Sequence, residues 1–197
     1  MTSSEILAPT GAERAEGYPA SPHSLANRAA RAAWGVVWLV LFRPSPKIMH
    51  GWRRFLLRLF GARIDPSAKV HASAKIWAPW NLEMGYESCL SAHVDCYCVD
   101  KVKLGAFSVV SQYSFLCTAS HDIRYLHLPL TTAAITIGER AWVAADAFVG
   151  PGVTVGPGSI IGARSTVMKD VAPWSVMAGN PARLVRTRTL ASDPSER

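Results

Sequence analysis

Ile137, Val143, Val149, Val155, Ile161 and Val167 recur at an unbroken spacing of six, four of them followed directly by Gly and one by Ala. A period of six fits neither the 3.6 of an amphipathic helix nor the alternation of a half-buried strand, so the chain must turn a corner once per repeat. Three repeats then close one triangular coil, with the aliphatic residue inside and the small residue relieving the corner. Four positions after each aliphatic residue stand Ala141, Ala147, Val153, Ser159, Ser165 and Val171, all small or β-branched, as a tight interior requires.

The ladder continues upstream through Ile64, Val70, Ile76, Met84, Leu90, Cys96, Leu104, Val110 and Leu116. Its phase breaks by two extra residues between Ile76 and Met84 and again between Cys96 and Leu104, each a bulge from a corner. Leu116 and Ile137 stand 21 positions apart, and residues 119 to 134 lack the aliphatic-small pattern, which predicts an extruded loop. The repeats span about residues 62 to 172, roughly six coils, each burying its neighbour's core.

At 197 residues the chain holds one principal domain. Residues 1 to 23 read as a disordered tail without a secretory signal, residues 24 to 61 as a helical segment, and residues 173 to 197 as a C-terminal edge segment and tail. The apolar run from Ala32 to Phe42 is eleven residues, against roughly 20 for a spanning helix. With Arg28, Arg31 and Arg43 around it, and a second such stretch from Ile48 to Phe60, it suits a helix that caps the open end of the prism or lies on a membrane surface.

The net charge of +7 concentrates near the ends, at Arg53, Arg54, Arg58 and Arg63 and at Arg183, Arg186 and Arg188, with no nucleic-acid motif beside it. Nucleic acid is not expected as a partner. Cys89, Cys96, Cys98 and Cys117 show no CxxC pairing and read as reduced core residues of a cytoplasmic protein.

Of six histidines, His121 has the setting most suited to chemistry, in Thr118-Ala119-Ser120-His121-Asp122 where the rigid coil gives way to the loop. An imidazole there can take a proton from a hydroxyl at neutral pH, the requirement for general-base acyl transfer. Asp122 follows it directly, yet neighbouring strand residues point oppositely, so it is not expected to orient the ring.

The segments Trp80-Asn81-Leu82-Glu83-Met84-Gly85, Leu116 to Asp122, Ala141 to Thr154 and Ala178-Gly179-Asn180-Pro181-Ala182 resemble those of the left-handed parallel β-helix acyltransferases. The similarity is greatest to sugar O-acetyltransferases of the colanic-acid-biosynthesis type, and with His50-Gly51-Trp52-Arg53-Arg54-Phe55 it covers about residues 25 to 187. The resemblance implies a left-handed parallel β-helix of about six coils, a homotrimer, and an acetyl-CoA thioester held between adjacent prisms. It implies transfer of acetyl to a sugar or glycan hydroxyl in exopolysaccharide biosynthesis, with His121 as base, no covalent enzyme intermediate and no metal. By motif position, Ala145 and Ala163 would lie along the pantetheine arm, Trp142 would wall the thioester region, and Lys169, Arg183 and Arg186 would meet the nucleotide phosphates.

In His93-Val94-Asp95-Cys96-Tyr97-Cys98 the chain departs from the related pattern, which has a small residue first and Asn last. His93, Asp95 and Cys98 are the acceptor-binding candidates. The prism also hosts zinc carbonic anhydrases of the γ type, for which His93, His121 and His127 are the available trio. A trimeric scaffold attached to a membrane surface through its N-terminal helices is the non-catalytic alternative.

Overall fold

The computed structural model describes residues 24 to 190, so the tail expected over residues 1 to 23 lies outside it. Helix α1 (Leu25–Val37) starts at Ser24, whose hydroxyl accepts from the Asn27 N–H, and runs into a π-helical turn at Trp38–Phe42. Helix α2 (His50–Leu59) follows.

The first coil is β1 (Arg63–Ile64), β2 (Lys69–Val70) and β3 (Lys75–Ile76). The second is β4 (Leu82–Met84), β5 (Cys89–Leu90) and β6 (Asp95–Tyr97), and the third β7 (Val102–Leu104), β8 (Val109–Val110) and β9 (Phe115–Cys117). A hairpin of β10 (Ala119–His121) and β11 (Leu130–Thr132) interrupts the winding. Then come β12 (Ile135–Ile137), β13 (Trp142–Val143) and β14 (Phe148–Val149), and β15 (Thr154–Val155), β16 (Ile160–Ile161) and β17 (Thr166–Val167). Val171, bridged to Val155, and β18 (Ser175–Ala178) begin a sixth turn that β19 (Arg183–Thr187) closes antiparallel.

Stacking makes three parallel faces: face A from β1-β4-β7-β12-β15, face B from β2 through β5, β8, β13 and β16 to β18, and face C from β3-β6-β9-β14-β17. The molecule is a left-handed parallel β-helix, and the whole aliphatic ladder read from the sequence is its buried core. The small residue after the aliphatic one has a measurable reason: a Cβ on Gly138 would stand 2.6 Å from the Pro157 nitrogen, and one on Gly156 2.5 Å from that of Pro173. Both bulges and the hairpin leave from the same C–A edge, so insertions accumulate on one edge while the other two keep their period.

Along the faces the N–H groups of one coil donate to carbonyls of the next, as Lys69 does to Ser88 and Gly85 to Leu104. The carbonyls of the first coil therefore have no strand above them, and buried carbonyls need donors. The helices supply them. Arg58 reaches the Ile64 carbonyl, Arg54 that of Ala68 at 2.8 Å, Arg53 and His50 that of Val70 at 2.6 and 2.9 Å, Trp38 that of Ala74 at 2.9 Å and Trp34 that of Ile76 at 2.7 Å. Guanidinium and indole groups only donate, which suits a rim of acceptors. The basic cluster of the sequence thus finds its use inside the protein, and Arg53 is fully buried. Phe42, Leu56 and Leu57 complete this cap over the prism mouth.

Candidate functional site

His121 ends β10, at the outer end of the two-stranded ribbon on the C–A edge, paired in register with Leu130 next to the hairpin tip. The loop expected here is therefore a two-stranded ribbon, stiffer than an irregular excursion. Its ring is exposed, and Nδ1 lies 2.6 Å from the Leu128 carbonyl. A carbonyl can only accept, so Nδ1 carries the hydrogen and Nε2 presents its lone pair outward, the tautomer a general base needs. Asp122 does not touch the ring: it grips Arg124 at 2.6 Å, and the hydrogen bonds from Arg124 hold its carboxyl below the usual range. That pair, with the Asp122 N–H donating to the Pro129 carbonyl, shapes the hairpin tip.

Three other candidates, His93, Ala145 and Ala163, stand on the B–C edge. There the corner residues stack through the backbone: the His93 N–H donates to the Ser73 hydroxyl, Tyr113 to the Ala92 carbonyl, Asp146 to Gln112 and Arg164 to Ala145. His93 has φ +59 and its ring stacks flat on Tyr113, centroids 5.0 Å apart. Further along the same edge, Ala145 is half-buried and Ala163 exposed, a track of small side chains beside the exposed Arg164–Asp146 ion pair at 3.2 Å. Trp142, on face B beside that edge, is 47% exposed and donates from Nε1 to the Ser111 hydroxyl at 2.8 Å.

At the C-terminal end, Lys169 and Arg183 line one groove of about 550 Å³ together with Met168, Met177, Pro181 and Leu184. Two exposed cations on an apolar groove could hold a phosphate-bearing ligand. Arg186 lies on the same β19, opposite Val176 in register, and is exposed.

Asp95 is half-buried, paired with Lys75 at 3.5 Å, and its Oδ1 is buried without a hydrogen-bond partner. Cys98 corrects the sequence reading: it is fully buried, its thiol 3.3 Å from both the N–H and the carbonyl of Ala78 inside the prism. No acceptor can reach it. The signal was available, because Cys96 is an interior ladder residue and a side chain two positions on returns to the same side.

Two edges, then, divide the candidates within one chain: His121 and Lys169 stand on the C–A edge, and His93, Ala145 and Ala163 on the B–C edge. Between them runs face C, whose outer surface carries a column the sequence reading missed. Trp77, Tyr97, Phe115 and Phe148 contact in succession with centroids 5.5, 6.2 and 5.4 Å apart. Each precedes or follows an interior ladder residue, so strand alternation marks it as outward. The trio His93, His121 and His127 does not converge, because His93 and the hairpin occupy different edges, and no cluster of three or more metal-ligating side chains occurs among the described residues.

Residues 134–169 match the family described as bacterial transferase hexapeptide, six repeats. Over 155 residues the chain is 43% identical to WcaF of Escherichia coli strain K12, whose name assigns it to acetyl transfer in colanic acid biosynthesis; the match covers 79% of this chain and 85% of that one. The fold superposes on a hexapeptide-repeat-containing acetyltransferase of Vibrio cholerae O1 biovar eltor, complexed with acetyl coenzyme A, with TM-score 0.74 at 23% identity over 86% of this chain and 92% of that one. It superposes similarly on a maltose O-acetyltransferase of Clostridium difficile 630, with TM-score 0.73 at 22% identity over 85% and 90% of the two chains.

Proposed function

Because the chain belongs to the hexapeptide-repeat acetyltransferases, we propose that it moves an acetyl group from acetyl-CoA to a sugar hydroxyl in glycan biosynthesis, directly and with His121 as general base. The observation that carries this reading is the His121 ring, exposed on a rigid hairpin with its Nδ1 hydrogen held by the Leu128 carbonyl. Nε2 accepts the proton of the acceptor hydroxyl as that oxygen bonds to the thioester carbon. The carbon–sulfur bond then breaks, and the imidazolium returns the proton to the departing sulfur.

The division of candidates between two edges supports a homotrimer. If face C of each prism is turned toward a threefold axis, the C–A edge of one subunit meets the B–C edge of the next, and the half-buried aromatic column is covered between them. His121 of one chain then works beside the Ala145 and Ala163 track of its neighbour. Lys169, Arg183 and Arg186 would hold the phosphates of the donor, and Trp142 would flank its thioester arm. His93 and Asp95 stand further up the B–C edge, on the acceptor side.

We place the protein in the cytoplasm, against the inner face of the membrane. No helix among the described residues is long and apolar enough to cross a membrane, while Leu39, Val40, Leu41 and Ile48 are exposed beside Arg43 and Lys47, a pattern suited to an interface. The test is acceptor screening with labelled acetyl-CoA and mass spectrometry of the product. A single acetyl ester on a glycan is the expected product; CoA release that stays at the background rate with every acceptor tried would remove the proposal.

A further inference from the structure

The basic residues of the N-terminal segment fall into two groups. Arg53, Arg54 and Arg58 each donate to a first-coil carbonyl, whereas Arg43 and Lys47 form no ion pair among the described residues. Both line a cleft of about 480 Å³ between the turn at residues 43 to 48 and the B–C edge of the first two coils, facing Arg53, His71 and Ser73. A smaller lobe of about 220 Å³ shares Arg43 and Ser73 and adds Lys75, His93 and Asp95.

Two features point to a ligand. Arg53 is fully buried, yet its donors meet only neutral acceptors: the carbonyls of Val70, Pro46 and Lys47 at 2.6, 2.9 and 2.8 Å and the Ser45 hydroxyl at 2.9 Å. Buried charges are normally compensated, so this cation leaves an unanswered positive field in the cleft wall, and the same bonds fix the turn that carries Arg43 and Lys47. The field is felt by His71, pushed below the ordinary imidazole range by burial and then by the charges of Arg53 and Lys47. Asp95, which lines the smaller lobe, has a buried Oδ1 with no donor on it, an acceptor left unanswered by the protein.

We propose that this cleft binds the diphosphate of a phosphate-linked sugar, with Arg43 and Lys47 on the phosphates, the buried Arg53 charge behind them, and the sugar directed toward Asp95 and His93. Arg43 supplies the planar fork and Lys47 the point charge that phosphate oxygens accept from. The cleft is separate from the basic groove of Lys169 and Arg183, which lies at the opposite end of the prism, roughly 20 Å away at ~4.8 Å per coil. Its role as an acceptor subsite rests on the acetyltransferase reading above, and it makes the acceptor a diphosphate-linked sugar rather than a free glycoside. The diphosphate chemistry is shared by nucleotide-linked and polyprenyl-linked sugars.

Inorganic pyrophosphate, uridine diphosphate and farnesyl diphosphate, titrated calorimetrically into the full-length protein saturated with CoA so that the other basic groove is filled, test the site. The parent should bind all three, and a folded Arg43→Gln/Lys47→Gln variant, checked by circular dichroism and gel filtration, should bind each at least 10-fold more weakly. Tighter binding of uridine diphosphate than of farnesyl diphosphate assigns the site to a nucleotide sugar, and the reverse order to a lipid-linked one. Equal affinities in parent and variant overturn the proposal, as does a parent that binds none of the three. His121→Ala should leave pyrophosphate affinity unchanged, so a failure of the catalytic reading and a failure of the anion site are read separately.

Discussion

With its Nδ1 hydrogen tied to the Leu128 carbonyl at 2.6 Å, His121 enters any reaction with Nε2 as the basic atom. Replacing it by Ala should lower acetyl transfer by about 100-fold or more, the range for loss of a general base, while CoA affinity measured by calorimetry stays within about twofold. Turnover equal to the parent would remove His121 from the chemistry. Its place beyond the end of the rigid coil was legible in the sequence because the hexapeptide pattern stops there, and the ladder's interior was legible because period and size both report burial. The orientation of single side chains was not. Cys98 was read as an acceptor contact because it stands where the related pattern has Asn, although alternation from Cys96 puts it inside. Arg53 stood in the sequence only as one of a cluster of basic residues, and only the stack explains it: the first coil has carbonyls that nothing above it can satisfy, a property of the assembled edge.

Helix α2 carries a pH dependence through that edge. His50 and His71 pack with ring centroids 5.6 Å apart, and both are held below the usual imidazole value of 6.5, first by burial and next, for His71, by Arg53 and Lys47; in His50 the bond to the Val70 carbonyl partly offsets the shift. The unfolded chain therefore binds more protons than the folded one just below pH 6.5, so stability is full above that value and falls as pH drops through the lowered folded values. Thermal melts at pH 7.5 and 5.5 should show a smaller pH-dependent loss in His71→Gln than in the parent, and identical losses would exclude this source. Glycines give a second contrast between elements. Gly138→Ala forces a Cβ to within 2.6 Å of the next coil's backbone and should cost at least about 1–3 kcal/mol, the scale of overpacking. Gly35→Ala, on the exposed side of α1 with nothing within 4 Å, should stabilise by about 0.5–1 kcal/mol. Denaturant titration of both variants checks the pair, and a neutral Gly138→Ala would mean that the coils can part at that corner. The repeat itself told of small residues at corners, but it could not say that those on the A–B edge face backbone while Gly150 faces the Met168 side chain.

At the scale of the whole molecule, the argument turns on which parts of one prism can meet. His121 and the Ala145 track lie on different edges, separated by the width of face C, so one chain does not bring them together. A threefold arrangement with the aromatic column inward does so once per interface. His121→Ala loses the base and keeps the track, whereas Ala145→Trp obstructs the track and keeps the base. Each should be inactive alone. When the two are unfolded together in equal amounts and refolded, random mixing places an intact His121 beside an intact Ala145 at about one quarter of the interfaces of a cyclic trimer. Activity should therefore recover to about that fraction of the parent, whereas a site built within one chain would recover none, because no single chain in the mixture carries both intact residues. Co-refolded protein that remains trimeric by light scattering and yet stays inactive would refute the shared site and leave His121 in search of a different partner surface.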